Sequence, residues 1–586
     1  MVSTLAKRIV FPFIAVILIY SCAKIGVPSG GPKDVTPPKV VESVPAMNAT
    51  DFKGKRIEIT FDEFIQLIDI QKNFVISPPM KKKPSILMRN KSVIITPEES
   101  LKPNCTYRLF FGNAIVDNNE KNPLKNYEFV FSTGDKIDSL SLRGRVVDAF
   151  DHKPEAKESF FVMLYSKFQD TVPRRQLPEY ITKTDEKGFF SITHIRPDTF
   201  MIFALKDLNQ NYLFDQPNEP IAFSDTLIPI DNRYYIPDSL VKPDTLGLDS
   251  MNRAPFKTQI KLYSFTENHE KQYVKKEERA NLEKFSLIFN VPVIDSLLMK
   301  PLNFSSKKWL LPDCSLRKDT MSYWITDTSL VYNDTLKLRL GYSGLDSLEQ
   351  NIIHKYDTIS LVYKRPSVAK SKSKTPPPLK ITKFSVACNA EGQSSFDLNA
   401  KVMFSPNHPL AYIDTSKISL IRIQDEKKTR MKFRIKRDSV YLRKYFVNFR
   451  LEPATDYQLV ADSMAFRDIY GQYSDSLGCK FKSQKDDYYG KIKLKVSNVK
   501  EQMIIQLLTE KGDVVRQQII NKDQEVIFDF LHPDKYKLKA IYDTNHNGVW
   551  DTGSFARQCQ PEKVTFYTKE IPVRSNWDMD ESWILE

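Results

Sequence analysis

Over short stretches of the chain, apolar and polar residues alternate with a period of two. Ile57, Ile59 and Phe61 fall on one face, with Glu58, Thr60 and Asp62 on the other. Similar runs follow at 74–76, 93–95, 107–110 and 129–131, separated by turns rich in Pro, Asn and Lys. This density of short strands predicts an antiparallel β-sandwich over residues 36–135. Alternation resumes at 285–289 and 357–363 and predicts a third sandwich over 250–366. No long stretch carries a capped 3.6-residue apolar period, so the chain is expected to be all-β.

Two patterns recur along the chain. Leu101-x-Pro103-x-x-x-Tyr107-x-Leu109 returns as Leu451-x-Pro453-x-x-x-Tyr457-x-Leu459. Each copy is followed by an Asp-containing turn, at Asp117 and at Asp468, and by a closing strand. The second pattern begins at Pro197-Asp198 and runs through an alternating strand to Asp207-x-Asn209-x-Asn211-x-x-x-Asp215. It returns from Pro533-Asp534 to Asp543-x-Asn545-x-Asn547-Gly548-x-x-Asp551. Spacing conserved on both sides of the first Asp marks an internal duplication.

The first 35 residues predict a location. Lys7 and Arg8 precede an apolar run from Ile9 to Tyr20, too short to span a bilayer and suited to a signal-peptide core. The run ends Ile19-Tyr20-Ser21-Cys22, which resembles a bacterial lipobox. That resemblance implies a lipoprotein signal at 1–21 and a lipidated Cys22 as the mature N-terminus, anchored through its acyl chains. Residues 22–35 then read as a Gly/Pro tether.

The body carries its own resemblances. The Pro37-Pro38 opening, the strand ending Phe61-Asp62-Glu63, the Leu101/Pro103/Tyr107 motif, the Asp117 turn and the Phe131-Ser132-Thr133-Gly134 close resemble an SbsA-type bacterial Ig-like domain over 36–135. Gly144-x-Val146-x-Asp148-Ala149, the Thr184-Asp185-x-x-Gly188-Phe189-Phe190 hairpin and Pro197 resemble a carboxypeptidase-regulatory, transthyretin-like sandwich over 138–232. The repeats extend both readings, to a second Ig-like domain over 379–485 and a second transthyretin-like unit over 488–586. Residues 367–378 read as a Lys/Ser/Pro linker. With the lipobox, the order resembles Ig-like outer-membrane lipoproteins of Bacteroidetes. The expected fold is therefore a tandem array of antiparallel β-sandwiches behind a signal and a tether, lipid-anchored in the outer membrane and facing the cell surface or the periplasm.

Composition narrows the function. The 586 residues carry 86 Lys+Arg against 72 Asp+Glu, a formal charge of +14 with acidic residues interleaved throughout. No basic block exceeds Lys81-Lys82-Lys83, so nucleic acid is not an expected partner. The cysteines after Cys22 (Cys105, Cys314, Cys388, Cys479 and Cys559) are odd in number and far apart, and do not read as a disulfide framework or a zinc site. The seven histidines stand apart from any metalloprotease motif, and no nucleophile elbow or phosphate loop occurs. The carboxypeptidase-regulatory resemblance implies a non-catalytic module, and no enzyme activity is expected.

The Asp/Asn loops are the sharpest local signal. Asp543, Asn545, Asn547 and Asp551 place oxygens where a hard cation such as calcium is held, and Gly548 suits the turn. Asp207, Asn209, Asn211 and Asp215 form the weaker duplicate, with Tyr212 in place of the glycine. The other reading is a turn capped by its own side chains, and it is preferred here, because the bidentate Glu at the twelfth position is absent. Calcium is thus an optional cofactor and none is required. Asp-Ser/Thr-apolar triplets such as Asp138-Ser139-Leu140 resemble Bacteroidetes O-glycosylation acceptors. The expected role is a scaffold or accessory subunit of an outer-membrane complex, in β-barrel assembly or surface-lipoprotein export, with membrane and outer-membrane proteins as partners. The alternative is a surface glycan-binding or adhesive module using Trp550, Trp577 and Trp583.

Overall fold

A computed structural model describes residues 34–154, 159–169, 171–216, 218–231, 260–267, 272–293, 296–315, 317–345, 352–363 and 380–585. Cys22, the signal, the tether and the 367–378 linker lie outside the described residues. The chain is almost wholly β, with three one-turn helices among the described residues, at Ile70–Asn73, Val172–Arg175 and Thr328–Val331. It divides into two compact units: 1–148 with 153–264, and 149–152 with 265–586.

In the first unit, the Ig-like domain packs a sheet in the order Val40–Val44, Ile57–Phe61, Ser92–Thr96, Ser85–Arg89 against Val75–Ser77, Thr106–Gly112 and Tyr127–Ser132. The period of two is realised as expected: Ile57, Ile59, Phe61, Val93 and Ile95 are all buried in one core with Tyr107, Leu109 and Phe131. The neighbouring domain has Leu140–Asp148 at the centre of one sheet and Phe161–Tyr165 beside Asp198–Leu205 in the other.

One boundary differs from the sequence expectation. Alternation places the stretch from 250 in the third sandwich, yet Ile260–Ser264 pairs in parallel with Leu140–Asp148 and completes the preceding domain. Its duplicate does the same: Asp578–Ile584 pairs in parallel with Gly490–Ser497. The duplicated unit thus returns its last strand to its first. A parallel return needs a long connection, which here separates the strand from the body of the domain in sequence.

In the second unit, the third sandwich pairs Val274–Asn281, Lys284–Phe289, Thr320–Ile325 and Leu310–Cys314 in one sheet. Its other sheet is built on the long hairpin Thr335–Leu345 and Ile352–Val362. The second Ig-like domain follows. One sheet is Val386–Cys388, Met403–Pro406, Tyr445–Asn448 and Arg434–Arg437; the facing sheet is Lys427–Met431, Ile418–Gln424, Asp456–Ala461 and Leu477–Lys482. Gly490–Ser497 opens the last domain.

The Leu-x-Pro-x-x-x-Tyr repeat has a physical cause. The Tyr107 hydroxyl accepts the Lys102 N–H at 2.8 Å, and the Tyr457 hydroxyl accepts the Glu452 N–H at 2.8 Å. Each ring stacks on the phenylalanine of the closing strand, Tyr107 on Phe131 at 5.4 Å and Tyr457 on Phe481 at 5.3 Å. Two residues on, Thr133 and Ser483 donate to the carbonyls of Lys102 and Glu452. The motif is a corner that ties a turn to the closing strand through one buried ring, as in sandwich tyrosine corners.

Candidate functional sites: duplicated Asp/Asn loops and a buried histidine junction

The Asp/Asn loops leave the ends of strands Asp198–Leu205 and Asp534–Tyr542. In the second copy Asp543 is fully buried. Its carboxylate accepts Asn547 N–H at 3.0 Å, Gly548 N–H at 2.9 Å and the Gln502 amide at 2.7 Å. Asn545 and Asn547 both donate to Asp551 Oδ2, at 2.7 and 2.5 Å. Their own carbonyls accept Asn547 N–H and Val549 N–H. The first copy repeats this net: Asp207 accepts Gln210 and Tyr212 N–H, and Asn209 and Asn211 donate to Asp215. The four predicted residues therefore converge in each copy, with their oxygens turned to N–H groups of the same loop. Burial alone would raise the Asp543 carboxyl, but the Gln502, Gly548 and Asn547 bonds outweigh it and hold it below the usual range.

The substitution of Tyr212 for glycine has less effect than expected. Tyr212 takes φ +61° where Gly548 takes +79°, and Gln210 and His546 match at +59° and +61°. The two backbones are alike, and Tyr212 packs its ring edge-on against Phe161 at 5.0 Å. That contact offsets a left-handed conformation costing about 1 kcal/mol.

Sequence reasoning missed a glutamate behind each loop. Glu219 is fully buried and accepts the N–H groups of Leu208, Asp215 and Gln216. Glu562 accepts Thr544 N–H and Asp551 N–H at 2.9 and 3.1 Å. Burial pushes both carboxyls up, and the backbone bonds only partly oppose it. The signal was present: each Glu stands two residues before its exit strand, Ile221–Phe223 or Val564–Phe566. Among the described residues, no group of three or more His, Cys, Asp or Glu side chains is arranged to hold a metal ion.

The tryptophans occupy three different settings. Trp583 belongs to the last domain's core, Trp550 packs on Ile504, Ile541 and Val564, and Trp577 is 52% exposed with Arg574 over its ring.

A second site lies where the third sandwich meets the second Ig-like domain. His408 is 1% exposed. Its Nδ1 is 2.7 Å from Asp468 Oδ2, and its Nε2 is 3.4 Å from Glu283 Oε1 and 2.6 Å from Thr382 Oγ1. Glu283 sits between strands Val274–Asn281 and Lys284–Phe289 of the third sandwich; His408, Asp468 and Thr382 belong to the Ig-like domain. Trp324 of the sandwich and Phe384 and Tyr470 of the Ig-like domain ring the imidazole at 5.5–5.9 Å. The Tyr470 hydroxyl crosses the same boundary to donate to Ile325 C=O at 2.9 Å. Beside it, Arg443 meets Asp313 at 2.9 Å, with Lys284 at 3.8 Å.

Burial opposes charge on His408, but its bonds to Glu283 and Asp468 outweigh that penalty and raise its pKa. The same contacts, with Thr382, hold Glu283 low against burial. Thr382, His408 and Asp468 are ordered like a nucleophile, base and orienting acid. The surroundings differ: two carboxylates flank the imidazole and favour its charged form, which lacks a lone pair to accept a proton, and Thr382 Oγ1 is also within 2.5 Å of Glu283 Oε1. Its histidine–carboxylate pairs resemble those of a structural junction.

Residues 34–133 match the bacterial Ig-like domain family. No match was found among curated proteins. Solved structures similar to the chain include the TIE protein of Bacillus anthracis, 9% identical over 55% of this chain and 58% of that one, with a TM-score of 0.12. The S-layer protein SbsC is 11% identical over 91% of this chain and 67% of that one, TM-score 0.13. Titin domains I67–I69 are 8% identical over 53% and 98%, TM-score 0.11. The chain spans 58% of the TIE structure.

Two predictions test these sites. His408→Ala leaves Glu283 and Asp468 buried without their cation and is expected to cost about 3 kcal/mol or more. Because the folded pKa is raised, the histidine's contribution is complete below its unfolded value near 6.5 and is lost as pH rises through the folded value. The melting-temperature gap between wild type and variant should therefore narrow as pH rises; a gap independent of pH would contradict the charged junction. At the Asp543 loop, the capped turn predicts equal melting temperatures in EDTA and in millimolar calcium. A calcium-dependent rise that Asp543→Ala abolishes would instead establish the cation site.

Proposed function

We propose that the protein is a non-catalytic, lipid-anchored envelope scaffold, an accessory subunit that presents β-sandwich domains to other outer-membrane proteins at a fixed geometry. The observation carrying this reading is the chemistry at the domain boundaries within each unit. Independent beads on a string have polar, solvated boundaries of small area. Here each boundary is crossed by specific side-chain hydrogen bonds, several of them made by charged or buried groups.

In the first unit, Arg108 of the Ig-like domain is buried, pairs with Glu128 and donates to Thr182 of the next domain. Ser77 Oγ accepts Ile181 N–H at 3.1 Å, and Thr106 exchanges bonds with Asp138. Lys183 donates to Lys72 C=O, and burial with the nearby Lys83 and Lys72 charges pushes it down to about 8. In the second unit, the His408 junction joins the third sandwich to the Ig-like domain. Asp397 of that domain then accepts from Tyr489 and His532 of the last one, both at 2.9 Å. Such contacts hold neighbours in register, which a scaffold needs and a flexible tether of modules does not.

The Ile19-Tyr20-Ser21-Cys22 signature supports the anchor, and tandem sandwiches support a role in assembly such as β-barrel biogenesis or surface-lipoprotein export. Mature protein purified from membranes is expected to begin at an acylated Cys22, and Cys22→Ala to yield unprocessed precursor. Pull-down from mildly solubilised membranes should recover an integral barrel protein. A Cys22→Ala protein that keeps its lipid label would overturn the anchor; recovery of no barrel protein would overturn the complex.

A further inference from the structure

The second Ig-like domain contains two buried cysteines that the architecture brings together. Cys388 ends strand Val386–Cys388 of one sheet and is 8% exposed; Cys479 lies in strand Leu477–Lys482 of the facing sheet and is fully buried. Both belong to one core cluster. The backbone beyond Cys388 runs along the Cys479 strand, with Gly392 N–H bonded to Lys480 C=O at 2.9 Å and Phe396 N–H to Lys482 C=O at 2.7 Å. The neighbouring Cys388 and burial together push the Cys479 thiol up, while the neighbouring Cys479 lowers Cys388 against the opposing effect of burial.

The first Ig-like copy shows what this position otherwise holds. Leu459 pairs with Cys479 as Leu109 pairs with Phe129, in the same register to the repeated tyrosine corner. Where one copy fills its core with a phenylalanine, the other places a thiol against a second thiol from the opposite sheet. A pair of small side chains forgoes the apolar area that the ring buries, and a covalent link across the sheets compensates by constraining the unfolded chain.

We propose that Cys388 and Cys479 are the halves of an inter-sheet disulfide that forms as the domain folds. The oxidant is a disulfide of low molecular weight or of a partner protein, as extracytoplasmic compartments hold. One thiolate attacks the donor disulfide, giving a mixed disulfide and one released thiol. The second thiolate displaces the remaining donor thiol, so the two cysteines lose two electrons and two protons while the donor disulfide gains two electrons and is reduced to two thiols. The site takes no metal and no small-molecule ligand; its partner chemistry is thiol–disulfide exchange. The loop it closes is about 90 residues long, in the range where such links stabilise most. Cys105, Cys314 and Cys559 lie in other domains and serve as internal controls.

The test is refolding of the full chain from urea in a glutathione redox buffer, then alkylation in denaturant and peptide mapping. A peptide joining Cys388 to Cys479 is expected, with Cys105, Cys314 and Cys559 alkylated. Reduction should lower the melting temperature of the second Ig-like domain by about 10 °C. Cys388→Ala should abolish both the linked peptide and the shift. Full alkylation of Cys388 and Cys479, or pairing of either with another cysteine, would overturn the proposal. Because the oxidant is supplied in vitro, this result is independent of whether Cys22 carries a lipid.

Discussion

A buried histidine set between two buried carboxylates, which favour its charged form, is the constraint that organises the second unit. Each carboxylate comes from a different domain, Glu283 from the third sandwich and Asp468 from the second Ig-like domain. Separating the domains would leave Glu283 without its cation in a pocket built to exclude water, or would expose the surrounding aromatic rings. Breaking a buried charged pair costs several kcal/mol, more than a surface pair contributes. The two domains are therefore coupled by the penalty for parting them. Arg443 and Asp313 reinforce the same seam from its edge.

The duplication shows how this junction is built on a common frame. In the first Ig-like domain, Asp117 spends its carboxylate on its own turn, accepting four successive N–H groups from Asn119 to Asn122. In the second, Asp468 caps its turn with Oδ1 and turns Oδ2 to His408. Ile65 pairs with Asp117 as Leu410 pairs with Asp468, so Glu63 stands where His408 does. Burial and the Asp117 charge raise the Glu63 carboxyl. The replacement of a glutamate by a histidine converts a like-charged neighbour into the counter-ion of a domain seam.

Much of the fold was legible because its signals are local. Alternation at Ile57–Phe61 and the two tyrosine corners follow from side-chain period and one ring per domain. The Asp/Asn loops also converged as their spacing implied. The parallel return strands were not legible, since Ile260–Ser264 and Asp578–Ile584 pair with strands far back in the chain and carry no local mark of their partner. His408 stands alone in the sequence because Glu283 and Asp468 lie 125 and 60 residues away. Buried Glu219 and Glu562 carry only a faint mark: a carboxylate that accepts backbone N–H groups is signalled by nothing but its distance from the exit strand.

The central claim is that the domains of residues 265–586 are held in one arrangement by polar contacts across their boundaries. It is tested most directly by double electron–electron resonance between orthogonal spin labels at Lys300 of the third sandwich and Lys522 of the last domain. A single narrow distance distribution is expected for the intact chain, broadened in His408→Ala. A broad distribution in the intact chain, unchanged by His408→Ala, would contradict the claim and return these domains to independent modules.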